Sequence, residues 1–129
     1  TEWKIINGIA EPRYHLKYAE SKDGINWDRN GVVAIDYKSE NEAGIVKASV
    51  IKENGIYKMW FAYRNFLNYR TDKNNSYRIG YATSLDGIKW ERNDEQSGID
   101  VGESGNFDDM MITYPHVIKI NNKKILSTK

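Results

Sequence analysis

Short runs of aromatic and β-branched residues, separated by Asn-Gly and Asp-Gly pairs, recur along the whole chain. Strands at regular spacing in an all-β protein read this way. In residues 56–64, IYKMWFAYR, an extended backbone puts Tyr57, Met59, Phe61 and Tyr63 on one side and Lys58, Trp60, Ala62 and Arg64 on the other. Both sides are largely apolar, which predicts a strand covered on both faces. Residues 77–84 behave similarly. Gly80 and Ala82 form a small side and Ile79 and Tyr81 a bulky one, so a neighbouring sheet has room to approach the small side.

Asn54-Gly55, Asp23-Gly24 and Asp86-Gly87 each sit between strand-like runs, and such pairs tolerate the positive φ of tight hairpins. Asp23 and Asp86 are therefore read as turn formers whose carboxylates bond their own backbone. One unit then comprises four strands, at 44–52, 56–63, 77–84 and 88–92, with long segments at 64–76 and 93–110 and, earlier, at 5–13 and 30–43. Antiparallel order gathers the tight turns at one end and the long loops at the other, and binding concentrates on such loops. The pattern repeats. Residues 77–94, YRIGYATSLDGIKWERND, match residues 14–31, YHLKYAESKDGINWDRNG, and VIKENGIYKMW from Val50 matches VIKINNKKILS from Val117. Repetition at nearly fixed spacing implies a modular array. The chain is divided into residues 1–43 (the end of one unit and a loop, entering near the unit's second strand at Trp3), 44–92 (a complete unit) and 93–129 (a loop and the start of the next, ending in a strand at 124–127). No stretch reads as a long helix.

Composition changes this picture little. Among 129 residues the net charge is +1, which predicts no general attraction to nucleic acid or to a membrane surface. Cysteine is absent, so disulfides and thiolate metal sites are excluded. No apolar run approaches the ~20 residues of a membrane helix, and no basic-then-apolar leader is visible. None of this fixes the compartment, although a cytoplasmic setting is favoured over others. Two histidines without a spaced carboxylate set predict no metal site, and no cofactor is expected.

Tandem four-stranded antiparallel units point to a partial β-propeller. The motifs YKMWFAYR, YRIGYATSLDGIKWER and the Tyr-Pro-His-Val of TYPHVIK resemble the five-bladed propeller glycosidases, the β-fructosidase, arabinanase and xylosidase superfamily, and in particular their glycosidase-related bacterial branch. The resemblance covers nearly the whole chain, which amounts to about two of five blades. It implies catalytic carboxylates near the starts of innermost strands and a carbohydrate as ligand. Aligning Val50 with Val117 puts Glu42 opposite Asp109, with Asp108 next to it. Glycoside cleavage uses such a pair, one carboxyl as acid and the other as base or nucleophile. Glu42 is the expected acid, and Asp109 or Asp108 the expected base. Arg64, Arg78, His15, Tyr63, Tyr114 and His116 are expected substrate contacts on the loop face; the guanidinium fork grips hydroxyls and anions, and aromatic faces stack on sugar rings. Tyr69 is a further stacking candidate. Trp27, Trp60 and Trp90 are expected in the core. Two features depart from the family. Lys47-Ala48 stands where relatives often carry Arg-Pro, and a site drawn from three blades has at most two here. The alternative reading is a non-catalytic carbohydrate-binding module, or one that self-assembles as a homo-oligomer to complete the propeller and cover its exposed sheet faces.

Overall fold

The computed structural model describes residues 1–129. The protein is all-β, built of ten strands and one short 3-10 turn at Asp94–Gln96. Its centre is a four-stranded antiparallel sheet in the order β5 (Glu42–Glu53), β6 (Ile56–Asn65), β7 (Arg78–Ser84), β8 (Glu91–Arg92). These strands match the unit expected over 44–92, and Asn54-Gly55 closes the first hairpin with φ of 52° and 79°. Three two-stranded antiparallel sheets surround it: β1 (Glu2–Ile6) with β2 (Ile9–Arg13), β3 (Leu16–Lys17) with β4 (Val33–Ile35), and β9 (His116–Ile120) with β10 (Lys123–Ser127). None closes on itself.

Two segments expected to be loops are strands. Residues 5–13 contain the Asn7-Gly8 turn and β2, because Ile5↔Ala10 and Trp3↔Pro12 pair across it. Pro12 is accommodated because it sits near the strand's end on a two-stranded ribbon. Residues 33–35 pair with β3 and extend the first unit.

The central sheet is covered on both faces, as its two apolar sides predict. On one face Met59, Phe61 and Ala82 pack with Ile35 and Ile45, joined by Leu16 and Trp90. This is the small side of β7, where the β3–β4 sheet approaches. On the other, Trp60, Ala62, Ile79 and Tyr81 pack with Ile112, Val117 and Leu126, bringing in the β9–β10 hairpin. Val117 N–H donates to Ser49 Oγ at 2.8 Å. At the hairpin tip Glu53 accepts from Lys58 and Lys124 and pairs with Lys119, at 2.7, 3.0 and 3.4 Å. The Lys58 hydrogen bond and then that of Lys124 hold its carboxyl down to about 2.

The repeat is preserved atom by atom in one place. In both copies a serine hydroxyl (Ser21, Ser84) donates to the aspartate two residues on, at 2.9 and 3.0 Å, and accepts the N–H of Gly24 or Gly87. The same aspartate oxygen accepts two further backbone N–H groups at 2.8 Å, from Ile25 and Asn26 in one copy and Ile88 and Lys89 in the other. These backbone donors hold both carboxyls below the usual range, as the turn-forming reading requires. Because the folded pKa is depressed, the turn's order is present above the ordinary carboxylate pKa of ~3.9 and is lost as pH falls through the folded value. A carboxyl-carbon NMR titration should therefore show Asp23 and Asp86 titrating below the ordinary aspartate value of ~3.9. An ordinary titration at both positions refutes this account.

The tryptophans divide. Trp60 is buried and Trp90 half-buried, whereas Trp27, expected in the core, is 57% exposed. Trp90 is covered by the first unit, with Leu16 and Ala34 lining the same hollow, but no sheet of the chain covers the corresponding side of Trp27.

Candidate functional site

The long-loop end of the central sheet holds a cleft of about 660 Å³. Its walls come from the ends of β6 and β7 (Tyr63, Arg78, Ile79), from the segment entering β5 (Lys38) and from the 3-10 turn and the loop after it (Asp94, Glu95, Ser97, Ile99, Asp100). Beneath it lies an ion network. Arg92 grips Glu42 with two parallel N–H···O bonds of 2.7 and 2.8 Å and contacts Asp94 at 2.9–3.1 Å. Lys38 Nζ completes Asp94 at 2.8 Å, and the Lys38 backbone N–H donates to Glu42 Oε2 at 2.9 Å. The guanidinium lies about 5 Å from the ring centroids of Phe61 and Tyr63. Burial works against the Arg92 charge, yet the Glu42 and Asp94 carboxylates raise its pKa beyond the ordinary value. Burial likewise pushes Asp94 up, but Arg92 and then Lys38 outweigh it and hold the carboxyl low. The closeness of Gly80 makes this possible, since a Cβ there would lie 2.5 Å from the Phe61 ring and 2.7 Å from Asp94 Oδ1.

Of the expected site residues, Tyr63 and Arg78 line this cleft. Tyr63 Oη has no partner within the chain, and burial, followed by Asp94, raises its pKa. Arg78 is tethered to the carbonyls of Tyr77, Met110 and Lys73 and to Asp100 at 3.2 Å. Glu42 stands at the start of β5, as expected, but both its oxygens are occupied as acceptors by Arg92 and Lys38. That is the chemistry of a fixed ion-pair partner and does not suit the proton donor expected of it.

The other expected residues are elsewhere. Arg64, expected to reach a ligand, is buried with its guanidinium 3.8 Å from the Tyr69 ring centroid and donates to Tyr77 Oη, Asn65 O and Pro12 O. Gly44 lets it approach, because a Cβ there would meet Arg64 at 3.0 Å. Tyr77 is in turn bonded to its repeat equivalent, Tyr14, hydroxyl to hydroxyl at 3.0 Å. Burial and that bond push Tyr77 up to about 12. Tyr69, expected to stack on a sugar, stacks on Arg64 instead. His15 contacts Asp36 at 3.2 Å, away from the cleft lining. His116 is exposed on β9, and Tyr114 is exposed with φ of 55°. Asp109 accepts the Gly105 N–H at 2.7 Å and Asp108 folds against Gly102, so both organise their own loop. No group of three or more His, Cys, Asp or Glu is placed to hold a metal ion, and no helix is long and apolar enough to cross a membrane.

Asp94 and Lys38 were not singled out from the sequence. The available signal was a departure from the repeat: Asp94 takes the place of Gly31 in the first copy. Arg92 was hidden because its counterpart Arg29 made it look like part of the repeated pattern.

No family model matches the chain. Two proteins of Mycobacterium tuberculosis are similar to it, uncharacterized protein MT1551 of strain CDC 1551 and uncharacterized protein Rv1502 of strain H37Rv. Each is 31% identical over 119 residues, which make up 92% of this chain and 36% of the relative. The chain thus spans little more than a third of the length of the curated relatives it matches.

Proposed function

We propose that the chain is about two blades of a propeller related to the five-bladed glycosidases, and that it binds a carbohydrate without cleaving it. The observation that carries this reading is the cleft at the loop end. Its lining alternates cations (Lys38, Arg78) with carboxylates (Asp94, Glu95, Asp100) and leaves the Tyr63 hydroxyl unpartnered. Charges that largely neutralise one another suit a neutral polyhydroxylated ligand, which needs many donors and acceptors and no net field. The engagement of Glu42 by Arg92 favours binding over turnover.

Glycan-array screening followed by calorimetry tests this. Binding to at least one neutral glycan is expected, and Tyr63→Phe should weaken it about fivefold, the worth of one hydrogen bond of ~1 kcal/mol. Absence of binding to any glycan removes the reading. The alternative, glycoside hydrolysis, is favoured by the three carboxylates meeting in the cleft. Turnover of aryl-glycosides that falls with Glu95→Gln or Asp100→Asn would establish it in place of simple binding.

A further inference from the structure

Behind one wall of the cleft lies a second hollow, of about 370 Å³, between the central sheet and the β9–β10 hairpin. Ser97, Gly98 and Ile99 line both spaces, so a short piece of chain divides them. Trp60 of β6, Ile99, and Val117 and Leu126 of the hairpin supply the apolar lining of the second hollow. The Trp60 indole N–H donates to Ser97 O at 3.0 Å, and the ring packs against Tyr81 at a centroid distance of 5.0 Å. These two contacts fix the indole in place before any ligand arrives.

Lys124 is the charged residue of that lining, and it belongs to a cluster with surplus charge. Its ammonium contacts the two oxygens of Glu53 at 3.1 and 3.0 Å. Lys119 reaches one of the same oxygens at 3.4 Å and Lys58 the other at 2.7 Å. Three ammonium groups thus share one carboxylate, and no second carboxylate is paired with any of them. The surplus is local, because the chain as a whole carries only +1. Lys119 and Lys124 are each 43% exposed, and an ammonium has three N–H donors, so both retain donors that Glu53 does not use.

We propose that this hollow binds a small aromatic anion, with its ring against Trp60 and its charged group on Lys124 and Lys119. Each half of such a ligand answers one half of the site. A neutral polar molecule would leave the ammonium groups unpaired, and a bare inorganic anion would leave the apolar walls in water. Ligand sites of this kind combine a mostly apolar lining with a few placed polar groups. An aromatic ring adds an offset or edge contact with the indole, and a charge-assisted hydrogen bond is stronger than a neutral one. The glycan reading depends on Lys38, Tyr63 and Arg78, none of which takes part here, so the two proposals stand or fall separately.

Proton–nitrogen NMR titration of the chain with naphthyl phosphate, naphthol and inorganic phosphate tests the proposal. Naphthyl phosphate is expected to shift the Trp60 indole N–H resonance and to bind about tenfold tighter than naphthol or phosphate, the worth of one hydrogen bond to a charged group. Lys124→Met should remove that advantage, whereas Lys124→Arg, which keeps the charge, should retain it. The dispersion of each spectrum shows whether the variant is folded, and Lys119→Met replaces Lys124→Met if that variant is not. Absence of binding overturns the proposal, as does equal affinity for naphthyl phosphate and either naphthol or inorganic phosphate. Binding that leaves the Trp60 indole resonance unmoved, or that loss of the lysine charge does not weaken, overturns it as well.

Discussion

Arg92→Met is expected to lower the unfolding free energy by about 3–5 kcal/mol, the usual cost of removing one partner from a buried ion pair. The side chains of Arg92, Glu42 and Asp94 are 10%, 4% and 9% exposed. Without the guanidinium two carboxylates stay close together in a water-poor site, with only Lys38 to offset them. Replacing Glu42 with Gln should cost less, because the amide still accepts one hydrogen bond and Asp94 keeps its partner. Urea denaturation at neutral pH measures both. Acid should narrow the difference. Asp94 has its folded pKa depressed, so its contribution is fully present above its unfolded pKa and disappears as pH falls through the folded value. A midpoint unchanged by Arg92→Met would mean that the network contributes nothing net.

Phe61→Ala is expected to cost a further ~3–5 kcal/mol by the same assay, through lost burial and the cavity left behind. Phe61 is fully buried in the centre of the sheet, and its ring lies over Gly80 of the neighbouring strand and beside Arg92. The converse change tests the same contact. Gly80→Ala should cost ~1–3 kcal/mol by overpacking, because the new methyl group meets the Cε2 and Cζ atoms of Phe61. In a Phe61→Leu background those atoms are absent and the Asp94 Oδ1 contact remains, so part of the cost should disappear and the two changes should be non-additive. Additive effects would show that the ring does not set the Gly80 requirement.

The central unit was legible in the sequence because each of its signals was local and mutually consistent. Asn54-Gly55 closes one hairpin, the Ser84–Asp86 turn the next, and the two apolar sides of IYKMWFAYR foretell the two clusters that enclose it. The first unit was read less well. Trp3 and Ile5 look like an isolated strand, and only pairing with residues 9–13 reveals a hairpin that Pro12 makes hard to foresee. The site was harder still. Aligning repeats finds positions that the copies share, whereas the ion network is built from what one copy has and the other lacks, Asp94 in place of Gly31. Burial also reversed expectations for Arg64. Its residue type suggests ligand contact, but the tyrosines that enclose it lie at positions 14, 69 and 77, and nothing in their spacing announces that they meet.

The Tyr14–Tyr77 contact has a consequence for descent. Its two hydroxyls belong to matching positions of a duplicated segment, so a single codon in an undivided ancestor would specify both sides. A one-unit forebear that associated with its twin would already own this bond between molecules, and gene fusion would merely have made it internal.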